Sequence, residues 1–210
     1  KLFHSMERKA SEQHQHLNSV GGVALRQYEP SLEAQVDIRY QAFPLTDMQQ
    51  AYWIGRGDIF ELGQRSLHAY MELEGDIRLD RFEWAWNCLI HKHEMLRAVI
   101  DSDGRQRVLA QVDDYKIRTQ DLSTVSDYER NQALTAWRDE LSHQCIDLQN
   151  WPAFELRASL LSESVRLHLS IDGLFLDLRS FQLLFQELLA LYHGQEWHSE
   201  SPSLSFQDYV

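Results

Sequence analysis

The sequence predicts an α+β fold, with a mixed, mostly antiparallel sheet and helices on one face. Three features carry this expectation. FELRASLLS (154–162) and VRLHLSI (165–171) both alternate apolar and polar residues around a tight Ser162-Glu163-Ser164 link, as the arms of an antiparallel hairpin do. Stretches of helical period precede them at 79–96 and 126–145. A long apolar run of the same period follows at 178–194.

In chain order, the polar, histidine-dotted residues 1–40 are broken by Gly21-Gly22 and Pro30. They read as a linker, or a segment packed on a neighbour, with at most one short helix near the start. His14 and His16 have no third ligand at metal spacing. TDMQQAYWIG (46–55) offers Thr46 as N-cap, Gln49 three residues on for a capping box, and Gly55 as a stop. RSLHAYMELEG (65–75) places Leu67, Ala69, Met71 and Leu73 on one side of a strand. Over 79–96, Phe82, Trp86, Leu89 and Ile90 share one helical stripe, with Asp80 placed to cap. Short strands are expected near 97–101, 105–112 and 115–120, with Asp103-Gly104 turning the first hairpin. Ser126 and Glu129 open the helix 126–145 as a capping box, and Gly194 closes the last one.

Composition narrows the function. The 210 residues, 43% hydrophobic, suffice to bury one core. A formal charge of −12 is the wrong sign for neutralising phosphates, which argues against nucleic acid as a partner. Without a long apolar run or a secretory leader the chain reads as cytoplasmic, with no membrane insertion, and a start at Lys rather than Met suggests a piece of something longer. Cys88 and Cys145 lack metal or disulfide spacing and are expected to be small buried hydrophobes; no metal site is expected, at His91 and His93 included.

LSIDGLFLDLRSFQ (169–182) poses the central question, because it sets Asp172 and Asp177 among residues that leave water. A buried carboxylate needs a partner, a network or a chemical role. Asp177, at the start of the last helix, can cap it. Asp172 follows a core strand and has no such account.

These residues carry a resemblance. D172-G-L-F-L-D177-L-R-S180 fits the D-x-x-x-x-D-x-x-S signature of heterocyclization domains of nonribosomal peptide synthetases, a variant of condensation domains. F43-P-L-T-D-M-Q-Q-A-Y-W-I-G-R56 is similar to the family's opening motif, F-P-L-T-x-x-Q-x-A-Y-x-x-G-R. K92-H-E-M-L-R97 resembles its R-H-x-M-L-R element, with Lys92 in place of Arg, and W151-P-A-F-E-L-R157 and L204-S-F-Q-D-Y-V210 are weaker echoes.

The resemblance implies a chloramphenicol acetyltransferase-like architecture of two lobes, each a two-layer α/β sandwich, with a tunnel between them. Residues 41–210 would be the N-terminal lobe, and the C-terminal lobe, with its dehydration residues, would be absent. The implied partners are upstream and downstream peptidyl or aryl carrier proteins, an adjacent adenylation domain and the missing lobe. No cofactor is bound directly, because substrates arrive on phosphopantetheine arms. The implied reaction condenses an acyl thioester with carrier-bound Cys, Ser or Thr, then closes a thiazoline or oxazoline, often in siderophore biosynthesis. Ordinary amide-forming condensation and a non-catalytic carrier-docking lobe are the alternatives, and the fragment alone is expected to be inactive.

Site expectations follow. Asp172 and Asp177 are the catalytic candidates, each with a structural alternative. Gly173 falls where ordinary condensation domains carry the second histidine, so histidine-based amide formation is not assigned. The resemblance implies an ion pair between Asp177 and Arg97 that locks the loop. Ser180 is expected to serve the helix start rather than act as a nucleophile. Thr46, Tyr52, Gly55 and Arg56 are motif positions that either build the loop or contact the tunnel or the other lobe. Gly173, Leu174 and Phe175 are expected to line the tunnel.

Overall fold

The computed structural model describes residues 38–56, 67–196 and 204–210. The segment expected to be a linker, His14 and His16 included, lies outside the described residues up to 37, as do the first residues of the strand expected from 65. The elements run α1 (Asp47–Gly55), β1 (His68–Gly75), α2 (Leu79–Lys92), a 3-10 turn (Glu94–Arg97), β2 (Ala98–Ile100), β3 (Gln106–Val108), β4 (Arg118–Asp121), α3 (Asp127–His143), β5 (Phe154–Leu160), β6 (Val165–Asp172) and α4 (Leu178–Tyr192). Four strands form one sheet in the order β1-β6-β5-β4, and β2 pairs with β3 separately. Both pairings of β6 are antiparallel and β4–β5 is parallel, so the α+β class with a mixed, mostly antiparallel sheet is the one observed.

The β5–β6 register sets Phe154 opposite Ile171, Leu156 opposite Leu169 and Ala158 opposite Leu167, which puts every apolar side chain of the hairpin on one face. That face packs on α2 and α4 through Trp86, Leu89, Ile90, Leu184 and Leu188 in the main core, and the Trp86 and Phe154 rings meet edge to face at 5.3 Å. Local chemistry delimits the elements. Ser126 and Glu129 form the reciprocal capping box of α3. Gly104 (φ 79°) turns β2 into β3, and Gly194 (φ 95°) follows the last turn of α4; both dihedrals favour glycine.

The second face of the sheet is polar and buried. Besides α2 and α4 on the apolar face, a third helix, α3, lies across this one, so helices flank both sides of the sheet and not the one face expected. Trp137 of α3 stands edge-on to His168 at 5.6 Å, and Arg138 and Glu140 pair with Glu72 and Arg157. His168 is fully buried, with Nδ1 2.8 Å from the Tyr70 hydroxyl and Nε2 3.0 Å from Ser159 Oγ. The Tyr70 hydroxyl donates to Glu72 at 2.8 Å, so it must accept from Nδ1–H, which leaves Nε2 to accept from Ser159. Gln120 in turn donates to Ser159 Oγ at 2.9 Å. Burial, which pushes its pKa down to about 4, keeps this imidazole neutral at pH 7, with both ring nitrogens paired.

Some local expectations are corrected. The helix predicted over 79–96 ends at Lys92, where His93 turns extended, and the 3-10 turn follows. Asp80 does not cap it: Arg78 holds the N-cap position without a side-chain bond, and Asp80 pairs with Arg78 at 3.0 Å. Of the four alternating residues only Leu73 is fully buried, Met71 packs partly, and Ala69 and Leu67, which precedes β1, remain exposed on this edge strand. Cys88 is buried but Cys145 is exposed, both as free thiols. No helix among the described residues is long and apolar enough to cross a membrane.

Truncating Leu188, buried at 1% exposure in the main core, to alanine is expected to cost about 2–5 kcal/mol in urea unfolding. Leu183→Ala, on the exposed side of the same helix, should stay within about 0.5 kcal/mol. Burial pushes the His168 pKa down from 6.5 to about 4. The unfolded chain therefore takes up this proton first, and stability present above pH 6.5 should fall as the pH drops towards 4. Thermal melts across that window check it, and His168→Gln should flatten the slope on its upper side, before carboxylates titrate.

Candidate functional site

The two aspartates of the signature occupy opposite environments. Asp172, the last residue of β6, is 1% exposed. Its Oδ1 accepts the Leu174 N–H at 3.0 Å and its Oδ2 accepts from Arg56 Nη1. Arg56 immediately follows α1, and its Nη2 donates to the Ile146 carbonyl. One guanidinium thus joins α1, the segment after α3 and the end of β6. A desolvated carboxylate with a guanidinium on one oxygen and a backbone amide on the other is satisfied as an ion. Each oxygen uses one lone pair in these bonds, so the role the structure shows for Asp172 is to tie α1 to the end of β6.

Asp177 is exposed and forms the N-cap of α4, accepting the Ser180 N–H at 2.7 Å. That backbone bond, with the Ser180 side chain and the nearby Arg179, holds its carboxyl below the usual aspartate range. The helix-capping reading is thus the one observed, and Ser180 serves the helix start.

The expected Arg97–Asp177 ion pair is not formed. Arg97 is buried and donates through Nε to the Leu109 carbonyl at 3.0 Å and through Nη1 to the carbonyls of Ile90 and His91. The last two are among the carbonyls that α2 leaves unpaired at its C-terminus, where a cation is favoured by both hydrogen bonding and the helix dipole. The K92-H-E-M-L-R97 element therefore closes a helix, and the arginine that the signature uses is Arg56 of the opening motif.

That opening motif builds the rest of the site. Thr46 caps α1 in a full capping box with Gln49. Gly55 is the last helical residue and Tyr52 points outward, exposed, while Leu45 and Trp53 pack on a second small core of Ala98, Ile100, Leu148, Ala153, Leu174 and Phe175. Leu174 and Phe175 therefore serve packing rather than line an open channel. The Gly173 N–H donates to Leu67 O, and a Cβ at 173 would lie 2.7 Å from Leu67 Cγ and 3.0 Å from Leu67 O. A side chain there requires the exposed Leu67 side chain to shift and its carbonyl to give by a few tenths of an ångström.

Side chains whose buried partners the sequence did not predict complete the site. Gln49 and Gln106 are buried and exchange amide hydrogen bonds at 3.0 and 2.8 Å. The opening motif contains Gln49, which signalled it; nothing local signalled Gln106. His68 stands opposite Asp172 in the β1–β6 register, with Nε2 2.7 Å from Ser170 Oγ, which Gln144 also bonds. Burial holds the His68 pKa below its ordinary value, against the opposing pull of Asp172. Among the described residues no cluster of three or more His, Cys, Asp or Glu side chains could hold a metal.

The model of the Condensation domain family matches residues 40–210. Pyochelin synthetase PchF of Pseudomonas aeruginosa is 33% identical over 183 residues, 86% of this chain and 10% of the relative. Phenyloxazoline synthase MbtB of Mycobacterium tuberculosis is 38% identical over 160 residues, 74% of this chain and 11% of the relative. The monoclinic crystal form of the EpoB NRPS cyclization-docking bidomain from Sorangium cellulosum superposes with a TM-score of 0.78 at 30% identity, over 99% of this chain and 41% of that one. The nonribosomal peptide synthetase FmoA3 superposes at 0.68 with 33% identity, over 84% of this chain and 17% of that one. The chain thus spans about a tenth of the length of the curated relatives it matches.

Asp172→Ala should cost about 3–5 kcal/mol in urea unfolding because it leaves Arg56 buried without its counter-charge. The Arg56→Ala/Asp172→Ala double variant should cost less than the sum of its singles. Asp177→Ala should cost only about 1 kcal/mol, the worth of a cap.

Proposed function

We propose, from the premise that this chain belongs to the condensation-domain family of nonribosomal peptide synthetases, that it is the N-terminal lobe of a heterocyclization domain. With a second lobe it would join a carrier-bound acyl thioester to carrier-bound Cys, Ser or Thr and cyclodehydrate the product to a thiazoline or oxazoline. The single observation that carries this reading is Gly173. Where ordinary members carry a histidine, the chain has a glycine packed against Leu67 and so offers no imidazole. The names of two relatives, a phenyloxazoline synthase and a cyclization bidomain, agree with it.

In this reading the amine attacks the thioester carbonyl, the carrier thiol leaves with a proton, and an amide forms. The side-chain thiol or hydroxyl then attacks that amide carbonyl, and its oxygen departs as water. The described residues hold the geometry for these steps. Arg56 and Asp172 fix the end of β6, Asp177 and Ser180 fix the start of α4, and Thr46, Tyr52, Gly55 and Arg56 supply the helix beside them. Proximity of two tethered substrates contributes most of the acceleration such a lobe can give. Asp172 and Asp177 are the candidates of this lobe for proton transfer, beside groups that a second lobe would bring. The substrates would arrive on phosphopantetheine arms of upstream and downstream carrier proteins, loaded by an adjacent adenylation domain, with no cofactor bound to this lobe.

Incubating the intact synthetase with loaded carriers should yield product lighter than the linear amide by one further water, as read by mass spectrometry. A linear amide as the only product would favour ordinary condensation. The 210-residue chain alone should give neither product, whereas turnover by the chain alone would refute the two-lobe assignment.

A further inference from the structure

The loop between β6 and α4 is held at Leu174 by side chains on both sides of one residue. Its N–H is taken by Asp172 Oδ1 at 3.0 Å and its carbonyl by Gln49 Nε2 at 3.2 Å. Gln49 is 6% exposed and Gln106 0%. Their primary amides form a closed pair: Gln49 Nε2 donates to Gln106 Oε1 at 3.0 Å, and Gln106 Nε2 donates back to Gln49 Oε1 at 2.8 Å. Each amide then spends its second N–H on a loop carbonyl, Leu174 for Gln49 and Pro44 for Gln106 at 2.9 Å. Gln49 Oε1 also accepts the Thr46 N–H at 3.0 Å, so the same side chain completes the capping box of α1. Every donor is used. Only a primary amide of this length can donate twice and accept at one buried point; a carboxylate lacks the donors and an apolar chain lacks both.

We propose that Gln49 is a positioning residue for the reaction assigned above, acting through the Leu174 carbonyl to hold the loop that carries Gly173, without touching substrate itself. This rests on the heterocyclization-lobe reading only for its activity readout. The clamp itself is a statement about the loop. Gln106 provides the internal control, because it shares the amide pair but makes no bond to the loop after β6.

The test compares Gln49→Met and Gln106→Met, both close to isosteric, in the intact synthetase carrying this lobe. Both variants break the amide pair and should lose thermal stability, Gln49→Met the more because it also removes the capping bond to Thr46. Only Gln49→Met frees the Leu174 carbonyl, so hydrogen exchange at 173–176, read by mass spectrometry, should quicken about tenfold there and change little in Gln106→Met. With loaded carriers, Gln49→Met should lower kcat about tenfold or more while KM for the carrier-bound substrate holds within about threefold. Equal exchange at 173–176 in the two variants, or no change in either, would overturn the clamp. Selective exchange with kcat unchanged would overturn the positioning role. If the parent enzyme makes only linear amide, the ring-closing assignment fails, and the same kcat comparison on amide formation still decides the role of Gln49.

Discussion

The carboxylate of Asp172 is the constraint around which this end of the molecule is organised. A charge removed from water must be matched within hydrogen-bond reach, and an unmatched one would cost several kcal/mol. Arg56 provides the match, and because it sits just past α1, satisfying the charge also sets where α1 lies. The second arm of its guanidinium binds Ile146 and brings in the segment after α3. Leu174 then docks on the other carboxylate oxygen. Three segments distant in sequence are thereby held by one ion pair, and the small core of Ile100, Leu148, Leu174 and Phe175 fills the space they enclose.

The sheet explains why such a charge can be carried at all. Its apolar face follows the hydrophobic effect and packs on α2 and α4. Its polar face is buried too, but under α3, and stays soluble in the protein interior only because each donor meets an acceptor from Gln120 through Ser159, His168 and Tyr70 to Glu72. Asp172 is the terminal member of that face on β6, following Arg166, His168 and Ser170 at alternate positions. The strand therefore delivers it inward as a consequence of parity. Beyond it the chain must leave the sheet, and Gly173, hydrogen-bonded to Leu67 O, is where it does so.

Much of this was legible in the residues. The β5–β6 hairpin, its register and the α2 stripe follow from periodicity, because a side-chain period of two or of 3.6 is a local property. Thr46, Ser126 and Asp177 were identifiable as caps for the same reason, since an N-cap bonds an amide within three residues of itself. The recurring motifs pointed to the family independently. The failures were competitions for partners that spacing does not rank. Arg97 was paired with Asp177 from resemblance, yet α2 presents unpaired carbonyls six and seven residues before Arg97, and those win it. Asp80 had the position of a cap but not the backbone for it.

The amino-acid sequence by itself determined which segments are helices and strands, which face of each hairpin strand is apolar, where the helices start, and that Asp172 required a partner. Each of these depends on residues within a turn or two of one another. Only the tertiary structure decided who the partner is, that Gln49 meets Gln106 across 57 positions, and that α3 turns a polar sheet face into an interior. Those outcomes are competitions among buried donors and acceptors brought together by folding, and desolvation settles them in favour of the arrangement that leaves the fewest groups unpaired.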